Sequence, residues 1–255
     1  MKFATFNVNG VNARLPRLVE WLAEAQPDIV GLQEIKTEAE GFPQLAIEAA
    51  GYHVLLRGQK GFNGVAILSR QPLRQIADRL PGDPEDEQAR WIEAMAGDVQ
   101  FVCLYLPNGN PAPGPKFQYK LSWMQRMAER AAELLASERP VILAGDFNIC
   151  PTDFDAARPD ALAGDALVRP ESRAAFRRMA AAGWTDAIRA ADPHRPSYSY
   201  WDYQGGAWAK NWGLRIDHLL LSPAAADRMV AWGIDRHVRG AERASDHVPV
   251  WVQLD

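Results

Sequence analysis

Polar residues that can bind a cation or move a proton stand at the ends of otherwise apolar runs in this 255-residue chain. Asn7 follows Phe3-Ala4-Thr5-Phe6, and Glu34 follows Ile29-Val30-Gly31-Leu32-Gln33. Asp146 and Asn148 follow Val141-Ile142-Leu143-Ala144-Gly145, Asp217 opens the run at 216–221, and Asp246-His247 directly precede the last apolar run. A carboxylate at the margin of a core loses hydration and has to be paired, hydrogen-bonded or bound to a cation. Strand ends gathered on one edge of a sheet bring such groups together from distant parts of a chain, which is how many α/β enzymes build sites. Singly, each has an ordinary alternative. Glu34 could start a helix before Thr37, Asn7 could begin a turn with Asn9-Gly10, Asp217 could pair with Arg215, and His247 could be a satisfied structural histidine. Asp146 and Asn148 say more, because two positions apart at the end of a strand both side chains leave on one face.

The elements that must position these groups are short β-type runs alternating with helical patterns. Strands are predicted at 3–6, 28–32, 65–68, 99–106, 141–144, 216–221 and 248–254. Leu15, Leu18, Val19 and Leu22 recur at helical spacing ahead of Pro27, and a second helix is predicted over 117–136 with Phe117, Leu121, Met124, Ala131 and Leu135 on one side. A third is expected at 173–182. The mixture predicts an α/β protein, and alternating runs such as 250–254 predict pairing that is antiparallel in part. Residues 151–170 and 193–213 read as long loops of the kind that carry function.

Composition bounds the function classes. With 47% hydrophobic and 24% charged residues, the chain suits one globular domain spanning 1–255. No repeat or low-complexity linker interrupts it, and no run resembles a signal peptide or a membrane span, so a cytoplasmic location is expected. Cys103 and Cys150 lie at apolar runs, where reduced structural thiols are the ordinary reading. The net charge of −4 argues against a nucleic-acid partner as a whole-chain sum. Carboxylates gathered around a metal would offset a basic rim in that sum.

Phe6-Asn7-Val8-Asn9-Gly10, Pro27 through Lys36, Gly58-Gln59-Lys60-Gly61, Asn63-Gly64-Val65-Ala66, Tyr105-Leu106-Pro107-Asn108-Gly109, Gly145-Asp146-Phe147-Asn148-Ile149, Gly213-Leu214-Arg215-Ile216-Asp217 and Ser245-Asp246-His247-Val248-Pro249-Val250 span nearly the whole chain. In that order they resemble the exonuclease III and abasic-site endonuclease branch of the endonuclease/exonuclease/phosphatase superfamily. The resemblance implies a four-layer α/β sandwich, two mixed and mainly antiparallel sheets face to face with helices outside and the site at one rim. It implies Mg²⁺, with Mn²⁺ able to replace it. Glu34 resembles the main metal carboxylate with Asn7 beside it, Asp246 a residue that holds a second ion or orients the first, and Asp146 and Asn148 further members of the metal and catalytic set. Asp217 resembles the acid that pairs with His247 and favours its charged form. Asp146 resembles the group that orients or deprotonates the attacking water, Asn148 one that holds water or phosphate, and Tyr105 one that contacts phosphate or assists the leaving oxygen.

That set serves any phosphodiester, and members of the superfamily also act on lipid and inositol phosphates, so flanking residues must name the substrate. Arg57, Lys60, Lys116, Lys120, Lys210 and Arg215 are available to phosphates, Lys116 and Lys120 one helical turn apart, against the ordinary expectation of solvated surface. Asn108 resembles a phosphate or sugar contact. The stretch Ser197-Tyr198-Ser199-Tyr200-Trp201-Asp202-Tyr203 resembles the family segment that lines a pocket for a flipped-out sugar, with Trp201 and Trp212 as the chosen contacts. The competing expectation is an edge strand whose Tyr198, Tyr200 and Trp201 pack inward. The resulting expectation is a DNA-repair phosphodiesterase, a monomer acting on double-stranded DNA with abasic sites or blocked 3′ ends, with no membrane partner. Its alternatives are a lipid- or inositol-phosphate phosphoesterase, and a binding module that would have lost part of the catalytic set; none of it is lost.

Overall fold

The computed structural model describes residues 1–255. In chain order the strands are β1 (Lys2–Asn7), β2 (Ile29–Gln33), β3 (His53–Arg57), β4 (Val65–Ser69), β5 (Arg74–Ala77), β6 (Trp91–Ala96), β7 (Val99–Tyr105), β8 (Val141–Asp146), β9 (Thr185–Asp186), β10 (Asp217–Leu221), β11 (Met229–Ile234) and β12 (Val250–Leu254). The helices are α1 (Val11–Ala25), α2 (Gln44–Ala49), α3 (Pro115–Ala136), α4 (Pro170–Ala181), α5 (Ala187–Ala191) and α6 (Pro223–Ala226). Two six-stranded sheets form, in the orders β11-β12-β1-β2-β4-β3 and β5-β6-β7-β8-β10-β9. Each has one parallel pair at its centre, β1 with β2 and β7 with β8, flanked by antiparallel pairs. The parallel pairs follow from connectivity, since α1 and α3 are the crossovers that return the chain in the same direction.

Three apolar clusters fill the spaces between layers. Phe3, Ile67, Phe101, Ile142 and Leu219 pack between the two sheets, and Phe3 stacks on Phe101 with ring centres 5.9 Å apart. Phe6, Leu18, Trp21 and Leu32 join the first sheet to α1, and Trp123, Met127, Leu143 and Phe176 join the second to α3 and α4. The layers therefore run helix, sheet, sheet, helix, as the resemblance implies.

The predicted strands all form, with shifted ends. Strands β3, β5, β6, β9 and β11 escape the sequence reading. In β6 the reason is Glu93, fully buried in the middle of the strand, where it accepts from Trp91 Nε1 at 2.9 Å, Gln100 Nε2 at 2.8 Å and Arg130 Nε at 2.9 Å. A charge that looks like a break is a satisfied core group. Strand β5 is mostly exposed, so it carries no apolar alternation. Helix α1 turns a slightly different face inward than expected: Val11, Leu18, Trp21 and Leu22 are buried, while Leu15 and Val19 are only partly so. Trp21 takes the core position by packing edge-on against Phe6.

Candidate active site

The carboxyl ends of β1, β2, β7 and β8 and the Asp246-His247 segment ahead of β12 meet at one rim of the sandwich. There Glu34, Tyr105, Asp146, Asn148, Asp246 and His247 line a cleft of about 610 Å³. Backbone geometry aims several of these groups. Glu34 and Asn148 adopt left-handed conformations, φ 52° and 48°, which cost a non-glycine residue of the order of 1 kcal/mol or more and persist only where surroundings enforce them. Gly145 is required for close approach, because a Cβ there would lie 1.9 Å from the Leu104 carbonyl oxygen on β7.

At the floor, Asp217 Oδ2 accepts from His247 Nδ1 at 2.8 Å and from Ser199 Oγ at 2.6 Å. His247 turns Nε2 toward Asp146 Oδ2, 3.7 Å away. Burial alone would push the His247 pKa down, but the Asp217 and Asp146 carboxylates outweigh it and raise it well above the ordinary histidine range. Burial raises the Asp146 carboxyl, and Asp217 and Glu34 add to the effect against the opposing pull of His247. The pair can thus keep a proton between them at neutral pH.

Beside this chain lies a wetter group of oxygens. Glu34 Oε1 accepts from Asn7 Nδ2 at 2.9 Å and from Tyr105 Oη at 2.8 Å, and Glu34 Oε2 pairs with Lys36 at 2.8 Å. Asn7 Nδ2 also donates to Asp146 at 3.0 Å, and Asn9 Nδ2 to Asp246 Oδ1 at 3.0 Å. Burial would raise the Glu34 pKa, yet the bonds from Lys36 and Asn7 bring it below the usual value. Burial and the neighbouring Glu34 and Asp146 hold the Tyr105 phenol protonated.

A divalent cation fits this chemistry. Of the carboxylates Glu34, Asp146, Asp217 and Asp246, Glu34 pairs directly with Lys36, and Asp146 and Asp217 with His247; Asp217 Oδ1 is buried without a partner. The donors are hard oxygens, as Mg²⁺ or Mn²⁺ prefers. Asp146, Asp217 and His247 also offer ligand atoms within 4.8 Å of one another. Because His247 Nδ1 is committed to Asp217, that trio is better suited to holding a proton, and Glu34, Asn7 and Asp246 to holding the ion.

The flanking expectations divide. Asn108 is exposed in the cleft, where its Nδ2 donates to Asn148 Oδ1 at 3.0 Å, and Trp212, 36% exposed, forms part of the wall. Lys116 is exposed beyond the cleft. Three expected DNA contacts are corrected. Trp201 is fully buried in the α1 layer, packed edge-on against Trp208 with Nε1 bonded to Asn211. Lys120 is fully buried, its ammonium spent on carbonyl oxygens. Arg215 is 1% exposed, bound to Asp155 at 2.7 Å and Asp186 at 2.8 Å. Among the basic residues, Arg57 is likewise occupied by the carbonyls of Asp78 and Glu87.

The structure adds residues to the site. Tyr200 forms backbone bridges to Leu214 and His247, and its ring lies 4.9 Å from the His247 ring. The alternation of side chains along an extended segment was the available signal: if Trp201 faces the core, Tyr200 faces the cleft. Arg158, another unassigned wall residue, lies over Trp212 at 4.2 Å, as does Lys210. Ser199, which supports Asp217, carried no local signal.

The endonuclease/exonuclease/phosphatase family model matches residues 4–247. Exodeoxyribonuclease III of Haemophilus influenzae is 36% identical, with all of both chains covered. Among solved structures, an AP endonuclease from Archaeoglobus fulgidus superposes with a TM-score of 0.96 at 34% identity, covering 100% of this chain and 99% of that one. The NExo enzyme of Neisseria has been solved as a 3′-5′ exonuclease and as a 3′ phosphatase bound to a product DNA hairpin. These two structures superpose with TM-scores of 0.97 and 0.96, each at 37% identity over 100% of this chain, and over 100% and 99% of theirs. Membership implies use of a divalent metal ion, which the oxygen donors around Glu34 can hold. No helix is long and apolar enough to cross a membrane. The chain belongs to the exodeoxyribonuclease III and abasic-site endonuclease branch of the endonuclease/exonuclease/phosphatase family and is a phosphodiester hydrolase.

Proposed function

We propose that this protein is a Mg²⁺-dependent DNA-repair nuclease that incises DNA on the 5′ side of abasic sites and removes nucleotides or blocking groups from 3′ ends. It works as a monomer in the cytoplasm, with residues 1–255 forming one catalytic domain. The observation that carries the reading is the buried Asp217–His247–Asp146 chain opening onto the oxygen donors of a single cleft.

Asp146 orients the attacking water and receives its proton, a role favoured by its raised affinity for protons. His247, held charged and in one orientation by Asp217, donates from Nε2 toward a phosphoryl oxygen. Asn148 holds the water or a phosphate oxygen from the opposite side, and the Tyr105 hydroxyl assists the leaving oxygen. When bound by Glu34, Asn7 and Asp246, Mg²⁺ supplies charge neutralisation at the phosphate. Asn108, Trp212 and Lys116 are the DNA contacts of this reading, and Tyr200 and Leu214 bound the space for an extruded sugar.

The test is cleavage of a labelled duplex carrying one abasic-site analogue, beside an intact blunt duplex and a 3′-phosphate duplex, each with Mg²⁺ or with chelator. Metal-dependent incision at the analogue and 3′ trimming are expected. Absence of cleavage on every DNA, with folded protein and Mg²⁺ present, would turn attention to lipid and inositol phosphates.

A further inference from the structure

Three stretches of backbone meet beneath the cleft: the segment after β7 carrying Asn108, the turn after β8 carrying Asn148, and the loop before α4 carrying Ala166. Their carbonyl oxygens converge on one side chain. Lys120 Nζ, from the first turns of α3, donates to Asn108 O at 3.0 Å, Asn148 O at 2.7 Å and Ala166 O at 3.3 Å. An ammonium has three protons and no acceptor capacity, so these bonds use all of it. Without that group the buried Asn148 carbonyl would lose its hydrogen bond, whereas Ala166 O would keep the one from Ser172 Oγ.

Around the lysine further side-chain hydrogen bonds tie the same segments. Asn148 Nδ2 donates to Leu106 O at 2.9 Å, while Asn108 Nδ2 donates to Asn148 Oδ1 at 3.0 Å. Asn110 Oδ1 accepts from Ala166 N at 3.0 Å, and Ser172 Oγ donates to Ala166 O at 2.8 Å. The stem fits only because residue 109 is glycine, at φ 89°, where a Cβ would lie 2.6 Å from Lys120 Cδ. Asn148, at φ 48°, donates its backbone N–H to Asp146 Oδ1 at 2.8 Å.

We propose that Lys120 is a positioning residue for cleavage: by joining the carbonyls of Asn108, Asn148 and Ala166 it holds the Asn148 side chain and the Asp146 carboxylate in register without touching DNA. The inference rests on the reading that Asn148 and Asp146 act on the phosphate. A displacement of about 1 Å in such groups can lower a rate on the order of a hundredfold. Substrate affinity changes less than the rate, because of the DNA contacts named above only Asn108 is tied to Lys120, and through its backbone carbonyl, while Trp212 and Lys116 are not.

The experiment compares kcat and KM on the abasic duplex for the wild type, Lys120→Met and Lys120→Gln, with each variant checked for folding by its melting transition. Lys120→Met is expected to lower kcat ten- to hundredfold with KM within threefold. Lys120→Gln keeps two donors and should lose less kcat, again with KM unchanged. If Lys120→Met does not fold, Lys120→Gln decides alone. Placing Lys120→Gln in an Asn148→Ala background, under single-turnover conditions, should add a smaller loss than it causes in the wild type, because the part carried by the asparagine side chain is already gone while the part carried through the Asn148 backbone to Asp146 persists. Wild-type kcat in a folded variant, a rise in KM at unchanged kcat, or multiplicative losses in the double variant would each overturn the proposal. Inactivity of the wild type itself on all DNA would instead overturn the nuclease reading.

Discussion

Asp217 and His218 are neighbours on β10, yet they serve two acid–histidine clusters on opposite faces of the strand. On the cleft side, Asp217 Oδ2 accepts from His247 Nδ1, and two carboxylates hold that imidazole charged. On the helix side, His218 Nε2 donates to Ile149 O at 3.0 Å while Nδ1 accepts from Arg215 at 3.0 Å. Burial pushes this second histidine down to about 4, and Arg215 pushes in the same direction. His247 is 4% exposed and His218 not at all, so burial does not separate them. The sign of the nearest partner does: a carboxylate recruits a proton that can be delivered to substrate, whereas a guanidinium fixes a neutral ring that can only pack. The second cluster, with Phe147 and Phe176 around the ring, holds the back of β10 still while the first works at its front.

The sharpest break between the two faces comes from Asp146→Asn. It removes the group that takes the proton from water and is expected to lower kcat about 10⁴-fold with little effect on melting, as measured on the abasic duplex and by thermal unfolding. Its counterpart behind the strand is Arg215→Met, which leaves partly buried Asp186 without its guanidinium partner and Asp155 with Arg189 alone. A loss of about 3–5 kcal/mol in unfolding free energy is expected by urea titration, while any protein that stays folded should retain its KM, since Arg215 does not reach the cleft. His247→Gln should lower kcat about 10²- to 10³-fold by withdrawing the charged donor; a loss confined to KM would make His247 a DNA contact instead.

What could be read from residue order alone follows the same division. The cleft side was legible because Glu34, Asp146, Asp217 and His247 stand where apolar runs end, and a polar group at such a place needs a reason. The resemblance supplied the two-sheet arrangement that periodicity could not. The back of β10 was not legible. Arg215 finds Asp155 and Asp186 at separations of 60 and 29 residues, and nothing local distinguishes an arginine bound for the interior from one bound for phosphate. Lys120 failed for the same reason: its partners are backbone carbonyls, which have no signature in the sequence. For Trp201 the difference is one of phase. Along an extended segment one of Tyr200 and Trp201 must face inward, and the larger, more apolar ring went to the core.

The finest test of the comparison uses acid. His218 has an unfolded-state pKa near the ordinary value of about 6.5 and a folded value of about 4, so as pH falls through this window the unfolded chain takes up a proton that the folded protein refuses. Stability therefore declines on acidification from about 6.5 toward 4, by about 2–3 kcal/mol in total from this group. Asp155 lies outside the window: burial raises its carboxyl, but Arg215 and Arg189 outweigh that and hold it down to about 2, so its contribution is lost only below the ordinary aspartate range. His247 has the opposite sign, its folded pKa being raised, and its contribution fades only as pH rises above neutrality. His218→Gln can keep both bonds of the neutral ring, donating to Ile149 O and accepting from Arg215, without titrating. Urea unfolding between pH 7 and 4.5 should accordingly show the wild type losing about 2–3 kcal/mol more than the variant. Parallel curves would mean that the histidine behind β10 is charged in the folded protein and that the two faces of the strand do not differ as their geometry requires.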